Sequence, residues 1–182
     1  MKYIKLFENF EDYDPYELMI TPPNKKAEMI IRELEKLEQK LEPNLNLVRD
    51  LITLGANLDW QDNGGRTALY WCSMNNRLEI AKMLIDAGAD MNIQQNDGWT
   101  ALHWCALRNH PKISRVLIDA GADLNIQDYY GWTALHCCAI HNRPEIARML
   151  LDAGADKTIP TNNGELPYEL ADRKEFKELL QP

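Results

Sequence analysis

The chain has 182 residues, of which 45 % are hydrophobic, and this size and composition predict one soluble folded unit with an ordinary core. No stretch approaches the roughly 18 consecutive apolar residues of a membrane helix. A formal net charge of −8 argues against nucleic acids and anionic membranes as partners, because binding to phosphate backbones depends on Lys and Arg. Four cysteines without a secretory signal predict reduced thiols and a cytoplasmic protein.

Residues 1–24 form an N-terminal extension whose first ten residues, MKYIKLFENF, are rich in apolar side chains. This composition predicts either an extra cap on the folded unit or a short recognition segment. The opening also resembles the N-termini of proteins encoded by large tailed bacteriophages, where such starts act as targeting segments. The resemblance implies a viral or bacterial origin as a hypothesis, with the host cytoplasm as the compartment.

A helix is predicted next, over Lys25–Leu41, because its apolar residues recur at helical spacing. Together with Leu47–Asp59 it makes residues 25–61 a degenerate repeat that caps the chain's regular part. Ile30, Leu34, Leu37 and Leu41 also fit the a and d positions of a coiled coil, so dimerisation through this helix stays open.

A period of 33 residues then governs the chain. The pair Gly-Ala recurs at that spacing four times, and Thr-Ala-Leu recurs three times. The period divides the remainder into units 62–94, 95–127 and 128–160, followed by a shortened, degenerate capping unit at 161–182. The glycines that mark the period are Gly55, Gly88, Gly121 and Gly154.

Each unit reads as two short helices. Thr67 and its equivalents Thr100 and Thr133 suit the N-cap of the first helix, because the hydroxyl accepts from free backbone N–H groups. The first helix ends at an asparagine that tolerates the left-handed conformation, at positions 76, 109 and 142. Pro111 and Pro144 follow at the start of a second helix, which carries an apolar stripe at i, i+3 and i+4.

The stretches TALHWCA and LIDAGADLNIQ closely resemble the ankyrin repeat. The resemblance covers roughly residues 28–180, and alanine stands where the family usually has proline, at Ala68, Ala101 and Ala134. Tyr70 replaces the family's histidine in the first clear copy. The resemblance implies an all-α solenoid of stacked helix-turn-helix units with finger-like β-turn loops, and a non-enzymatic protein that needs no cofactor.

Cysteines and histidines recur in register at Cys72, Cys105 and Cys138 and at His103 and His136. Equivalent residues of stacked helices lie on the order of 8–10 Å apart, too far to share one metal ion. We therefore expect cysteine to fill a small buried site, as free cysteine behaves like a small hydrophobe. The resemblance implies that the histidines tie neighbouring turns together. No catalytic residue and no metal site is expected.

In ankyrin-like proteins the finger tips and the exposed face of the first helices form a concave binding surface. Tyr129 and Tyr130 break the polar pattern of the other fingers and are the strongest candidates, because tyrosine, tryptophan and arginine dominate interface energetics. For Trp99 and Trp132 a structural role and a binding role both remain open. The partner-binding set implied position by position is Arg66, Asn75, Trp99, Leu107, Arg108, Tyr129, Tyr130, Trp132, Ile140 and His141.

These features favour a module that binds a partner protein, of unknown identity, through its finger tips and concave face. The alternatives are a structural or virion-associated component tethered by residues 1–20, and a viral inhibitor of a host protein. Capped repeat stacks are typically monomeric, so a monomer is expected.

Overall fold

Eleven helices and no strand occur in the part of the chain that the computed structural model describes, residues 15–35 and 43–181. The helices are α1 (Pro15–Ile20), α2 (Pro23–Glu35), α3 (Leu45–Thr53), α4 (Ala68–Met74), α5 (Leu78–Asp86), α6 (Ala101–Arg108), α7 (Pro111–Asp119), α8 (Ala134–Ile140), α9 (Pro144–Asp152), α10 (Pro167–Leu170) and α11 (Lys174–Leu180). The all-α repeat fold predicted from the sequence is confirmed.

Two rows of helices run along the stack. The first helices of the repeats, α4, α6 and α8, pack on one another in one row, which α2 and α10 extend at the two ends. The second helices, α5, α7 and α9, form the other row, which begins at α3. This arrangement is the one expected when each repeat can bury its apolar face only against its neighbours.

Local sequence explains where the first helices begin. The Thr67 hydroxyl accepts a hydrogen bond from the backbone N–H of Tyr70 at 3.2 Å, which caps α4. At α6 and α8 a threonine and a histidine form a reciprocal capping box, in which the histidine accepts from the threonine N–H. The predicted threonine caps are therefore confirmed, and the histidine three residues later completes two of them.

The junctions between paired helices also follow the sequence. The three asparagines predicted to be left-handed have φ values of 57°, 61° and 53°, at Asn76, Asn109 and Asn142. Pro111 and Pro144 occupy the first position of α7 and α9, where a missing N–H costs no hydrogen bond. In the second and third repeats an asparagine and a proline thus specify the sharp turn between the helices, whereas in the first repeat α5 begins at Leu78.

The core lies between the two rows. Ile80 and Leu84 of α5 and their equivalents in α7 and α9 are at most 1 % exposed. The small residues that follow Ile80 and its equivalents are also buried: Ala81, Ser114 and Ala147. Burying a side chain of this size contributes about 1.5–3 kcal/mol. The predicted apolar stripe of the second helices is therefore the inner face of the stack.

The fingers are five-residue turns that stack in register. Each is closed by a backbone bond from its first residue to the carbonyl of its fifth, as from Asp128 N–H to Trp132 O at 2.8 Å. A glutamine before each of the first three turns bridges to the following finger; Gln94 Nε2, for example, donates to Gln127 O at 3.0 Å. These bonds repeat every 33 residues and hold the tips at fixed spacing.

The N-terminal helices differ from the sequence expectation. α2 begins at Pro23 rather than Lys25, and α1 occupies part of the predicted extension. Ile30 and Leu34 are fully buried in this chain's own core, so they are not exposed on a dimerisation seam. Leu37 and Leu41 lie outside the described residues, as do residues 1–14, on which the expectations of a cap, recognition or targeting segment fall.

None of the helices described here combines the length and the hydropathy that crossing a bilayer requires.

Candidate functional site

The third finger carries the most exposed aromatic side chains among the described residues. Tyr129 and Tyr130 are 69 % and 71 % exposed, and both lie at the tip of the turn. The equivalent residues of the other fingers are polar or glycine. Large side chains left in water at one point of a periodic surface are a candidate binding site.

A slot of about 400 Å³ opens beside this finger. Its aromatic walls are Trp99 from the second finger and Tyr130 and Trp132 from the third. Carboxylates of Asp128 and Glu165 also line it. The remaining lining residues are Asn162 and Asn163 of the fourth finger.

Asp128 organises the slot. Its Oδ1 accepts from the backbone N–H groups of Tyr130, at 2.9 Å, and Trp132, at 2.8 Å. Its Oδ2 accepts from the indole Nε1–H of Trp99 at 2.8 Å. The carboxylate thus shapes its own finger and fixes the ring of the preceding one, and Asp128 is only 6 % exposed.

Trp99 and Trp132 have different surroundings. The Trp99 ring lies 5.2 Å from that of Trp104, and its N–H is used within the chain. The Trp132 ring lies 6.4 Å from the His136 ring at 30°. Both indoles are half-buried, so each supports the stack while presenting one side to the slot.

A second aromatic group lies on the first helices, and sequence reasoning missed it. Tyr70 packs edge-on against Trp71 at 5.5 Å and against Trp104 at 5.3 Å. Trp71 is buried and Trp104 is half-buried. A signal was present: Trp104 lies three and four residues before Leu107 and Arg108, so helical spacing puts all three on one face.

The guanidinium groups of both arginines predicted for binding lie close to these rings. The Arg66 guanidinium lies 4.6 Å from the Trp71 ring centre and its Nε is 2.7 Å from Asp62 Oδ2. Arg108 is exposed and lies 5.7 Å from the Trp104 ring centre. Arg66 is therefore engaged within the chain, whereas Arg108 has its charge in solvent.

The other predicted residues lie at the C-terminal ends of the first helices. Asn75 is half-buried and its Nδ2 donates to the Trp71 carbonyl at 3.1 Å, a capping contact. Leu107 is half-buried, and Ile140 is 42 % exposed. His141 is exposed, and partial desolvation together with the charge of Arg143 lowers its pKa.

The structure therefore brings only part of the predicted set together. Trp99, Tyr130 and Trp132 line one slot, whereas Tyr129 lies beside it on the same finger tip. Leu107 and Ile140 are not among its lining residues. They lie at the C-terminal ends of α6 and α8, whereas the fingers lie before the N-terminal ends of these helices. The predicted surface consists of a finger-tip part and a helix-end part.

The repeated histidines are structural, as the resemblance implied. His103 Nδ1 faces the Thr100 hydroxyl at 2.8 Å, and Nε2 donates to the Trp132 carbonyl at 3.0 Å, one repeat later. Burial lowers the pKa of His103 and of His136, which keeps the rings neutral. Each neutral ring bonds to the finger of the next repeat and so holds the slot's walls in place.

All four cysteines are free and fully buried. Burial raises the pKa of the Cys105 thiol to about 12 and raises that of the other three thiols as well. A thiol is a nucleophile only as its thiolate, so these groups are inert near neutral pH. No cluster of three metal-ligating side chains occurs in the part of the chain described here.

The repeat geometry agrees with the comparison to known families. A family model described as ankyrin repeats, in three copies, matches residues 40–95 and 87–161, which is more than half of the chain. The chain therefore belongs to the ankyrin-repeat family. Repeats of this family generally mediate protein–protein interaction, and proteins that contain them are typically non-enzymatic. No curated protein matches the chain.

Proposed function

We propose that this protein is a non-enzymatic module that binds a partner protein through its finger tips and the exposed face of its first helices. Family membership supports the coarse part of the proposal, since ankyrin repeats generally act in this way. The residues that carry the binding are proposed from the surface itself.

The observation that supports this surface is the exposure of Tyr129 and Tyr130 on a rigid tip. The tip is held to the fourth finger by two hydrogen bonds, from Asn162 N–H to Tyr130 O at 3.0 Å and from Asn162 Nδ2 to Tyr129 O at 2.9 Å. Rigid aromatic side chains give contact area at a low entropy cost on binding. A partner that covers them gains apolar burial without first ordering a loop.

The helix ends extend the proposed surface. Ile140 and the charged Arg108 lie at the C-terminal ends of adjacent first helices, α8 and α6. Interfaces typically combine a few aromatic or aliphatic anchors with a polar rim. Ile140 has the character of an anchor and Arg108 that of a rim residue.

The test is capture of partners from cells that express the protein naturally, followed by comparison of three purified baits. The baits are the wild type, the double variant Tyr129→Ala/Tyr130→Ala, and the control Arg148→Ala, whose change lies on an exposed residue of α9 in the other helix row. Truncation of one hot-spot residue costs about 2 kcal/mol, which is about 30-fold in affinity, so loss of both tyrosines should weaken binding by more than that factor.

We expect the same captured proteins with the wild type and the Arg148 control, and their loss with the tyrosine double variant. Circular dichroism and melting should be unchanged in all three, because the altered side chains are exposed. Capture that survives in the folded double variant would contradict the assigned surface.

A further inference from the structure

We propose that the slot between the second, third and fourth fingers binds a lysine or arginine side chain of the partner protein. This inference rests on the proposed function and adds the chemistry that the partner must present. It follows from the slot's aromatic walls, its carboxylates and a comparison between two fingers of the same chain.

The walls are suited to a cation. Trp99, Tyr130 and Trp132 present aromatic surface to one cavity, and the indole N–H of Trp99 is held by Asp128 at 2.8 Å. A cation within about 6 Å of an aromatic ring centre is attracted by the ring's quadrupole, and tryptophan is the strongest partner. The ring of Trp99 is fixed before binding, so its orientation is not a cost of association.

The charges of the slot are unbalanced. Asp128 and Glu165 line it, and Asp97 lies at the tip of the preceding finger. None of these three carboxylates has a Lys or Arg ion-pair partner among the described residues. The chain's net charge of −8 adds a long-range field that attracts cations.

The first finger contains an arginine–carboxylate pair that the third finger lacks. Asp62 occupies the position that Asp128 holds two repeats later, and there the carboxylate pairs with Arg66 of its own finger at 2.7 Å. The same guanidinium lies 4.6 Å from the centre of the Trp71 ring. In the third finger Trp132 takes the position of Arg66 and Cys137 that of Trp71. Asp128 therefore has no arginine in its own finger, and the aromatic surface beside it comes from the walls of the slot instead.

An external basic side chain would supply a cation between the aromatic walls and the carboxylates. Lysine and arginine both offer a long apolar stem that covers the indole faces and a charged end for the carboxylates. An acidic side chain would face like charge, and a neutral one would leave the carboxylates without a counter-ion.

The experiment titrates the full chain, labelled with ¹⁵N, with three capped pentapeptides that have alanine at every position but the third. The central residue is lysine, arginine or norleucine, which resembles lysine without its charge. Binding is followed through the indole N–H signals of Trp99 and Trp132. We expect the lysine and arginine peptides to shift both signals, with the norleucine peptide at least about five-fold weaker.

Two neighbouring tyrosines supply a matched control. Tyr130→Ala removes one wall of the slot, whereas Tyr129→Ala removes a residue of the same type and nearly the same exposure that does not line it. Glu165→Gln removes one negative charge and keeps an acceptor for the Thr161 hydroxyl, which lies at 3.2 Å. We expect the dissociation constant of the lysine peptide to rise about five-fold in Tyr130→Ala and Glu165→Gln and to stay within two-fold in Tyr129→Ala.

Equal shifts with the norleucine and lysine peptides would overturn the cation proposal, as would the absence of shifts with all three. Equal weakening by the two tyrosine substitutions would overturn it too. The capture experiment judges the proposed function independently, because a partner lost from the tyrosine double variant establishes the surface whatever the peptides do. If the peptides do not bind but the wild type still captures a partner that the double variant loses, the cation proposal fails while the proposed function stands.

Discussion

A pair of glycine substitutions tests how tightly the fingers are stacked. Gly131 and Gly164 are the fourth residues of the third and fourth finger turns and have φ of +82° and +85°, so alanine is strained at both. A Cβ on Gly131 would lie 2.5 Å from the backbone nitrogen of Asn162 and 2.9 Å from the carbonyl carbon of Thr161. A Cβ on Gly164 would have no atom within 4 Å.

The expected magnitudes follow from these distances. The left-handed conformation costs an L-residue about 1–2 kcal/mol, offset by about 0.4–1 kcal/mol from the smaller entropy of the unfolded chain. Gly164→Ala should therefore lower the free energy of unfolding by about 1 kcal/mol. Gly131→Ala must also push the fourth finger away and strain the two Asn162 hydrogen bonds, which adds about 2 kcal/mol or more.

The assay is equilibrium unfolding in urea, followed by circular dichroism at the helix band. We expect Gly131→Ala to be less stable than Gly164→Ala by at least about 2 kcal/mol, or about 5 °C in melting temperature for a chain of this size. Equal destabilisation of the two variants would refute the close contact between the third and fourth fingers, and with it the preformed slot.

Two further predictions concern the buried titratable groups. All four thiols should resist a thiol-specific reagent at pH 7.5 in the folded protein and react fully in denaturant, because burial raises their pKa values; rapid modification of the native chain would contradict this. Acidification from about pH 7 to 5 should lower the free energy of unfolding, because the pKa of His103 is depressed by folding and the unfolded chain takes up the proton first. The slope for His103 is at most about 1.4 kcal/mol per pH unit, and His103→Gln should reduce it in urea titrations; an unchanged slope would contradict the buried neutral ring.

The regular features of the fold could be predicted because each depends on few residues and recurs. The threonine caps, the left-handed asparagines and Pro111 and Pro144 are determined by local backbone chemistry, so three copies reinforce one pattern. The ends of the stack lack that repetition. Apolar spacing places the start of α2 at Lys25, whereas the helix begins at Pro23 because proline favours the first helical position.

The candidate site was predictable only in part. Exposure of Tyr129 and Tyr130 followed from a break in the polar pattern of the fingers. The structural role of Trp99 could not be predicted from the sequence. Its indole N–H donates to a carboxylate 29 residues later, and only the stacking of the repeats brings the two together. Trp104 was accessible to helical spacing, but its place within an apolar stretch gave it the character of a core residue.

The central proposal, that the finger and first-helix face meets a partner protein, is tested most directly by photocrosslinking in cells that express the protein naturally. A benzophenone side chain replaces Tyr130 in one variant and the exposed Arg148 of the opposite helix row in another. We predict a discrete crosslinked partner from position 130 and none from position 148. Adducts from position 148, with none from position 130, would contradict the proposed surface.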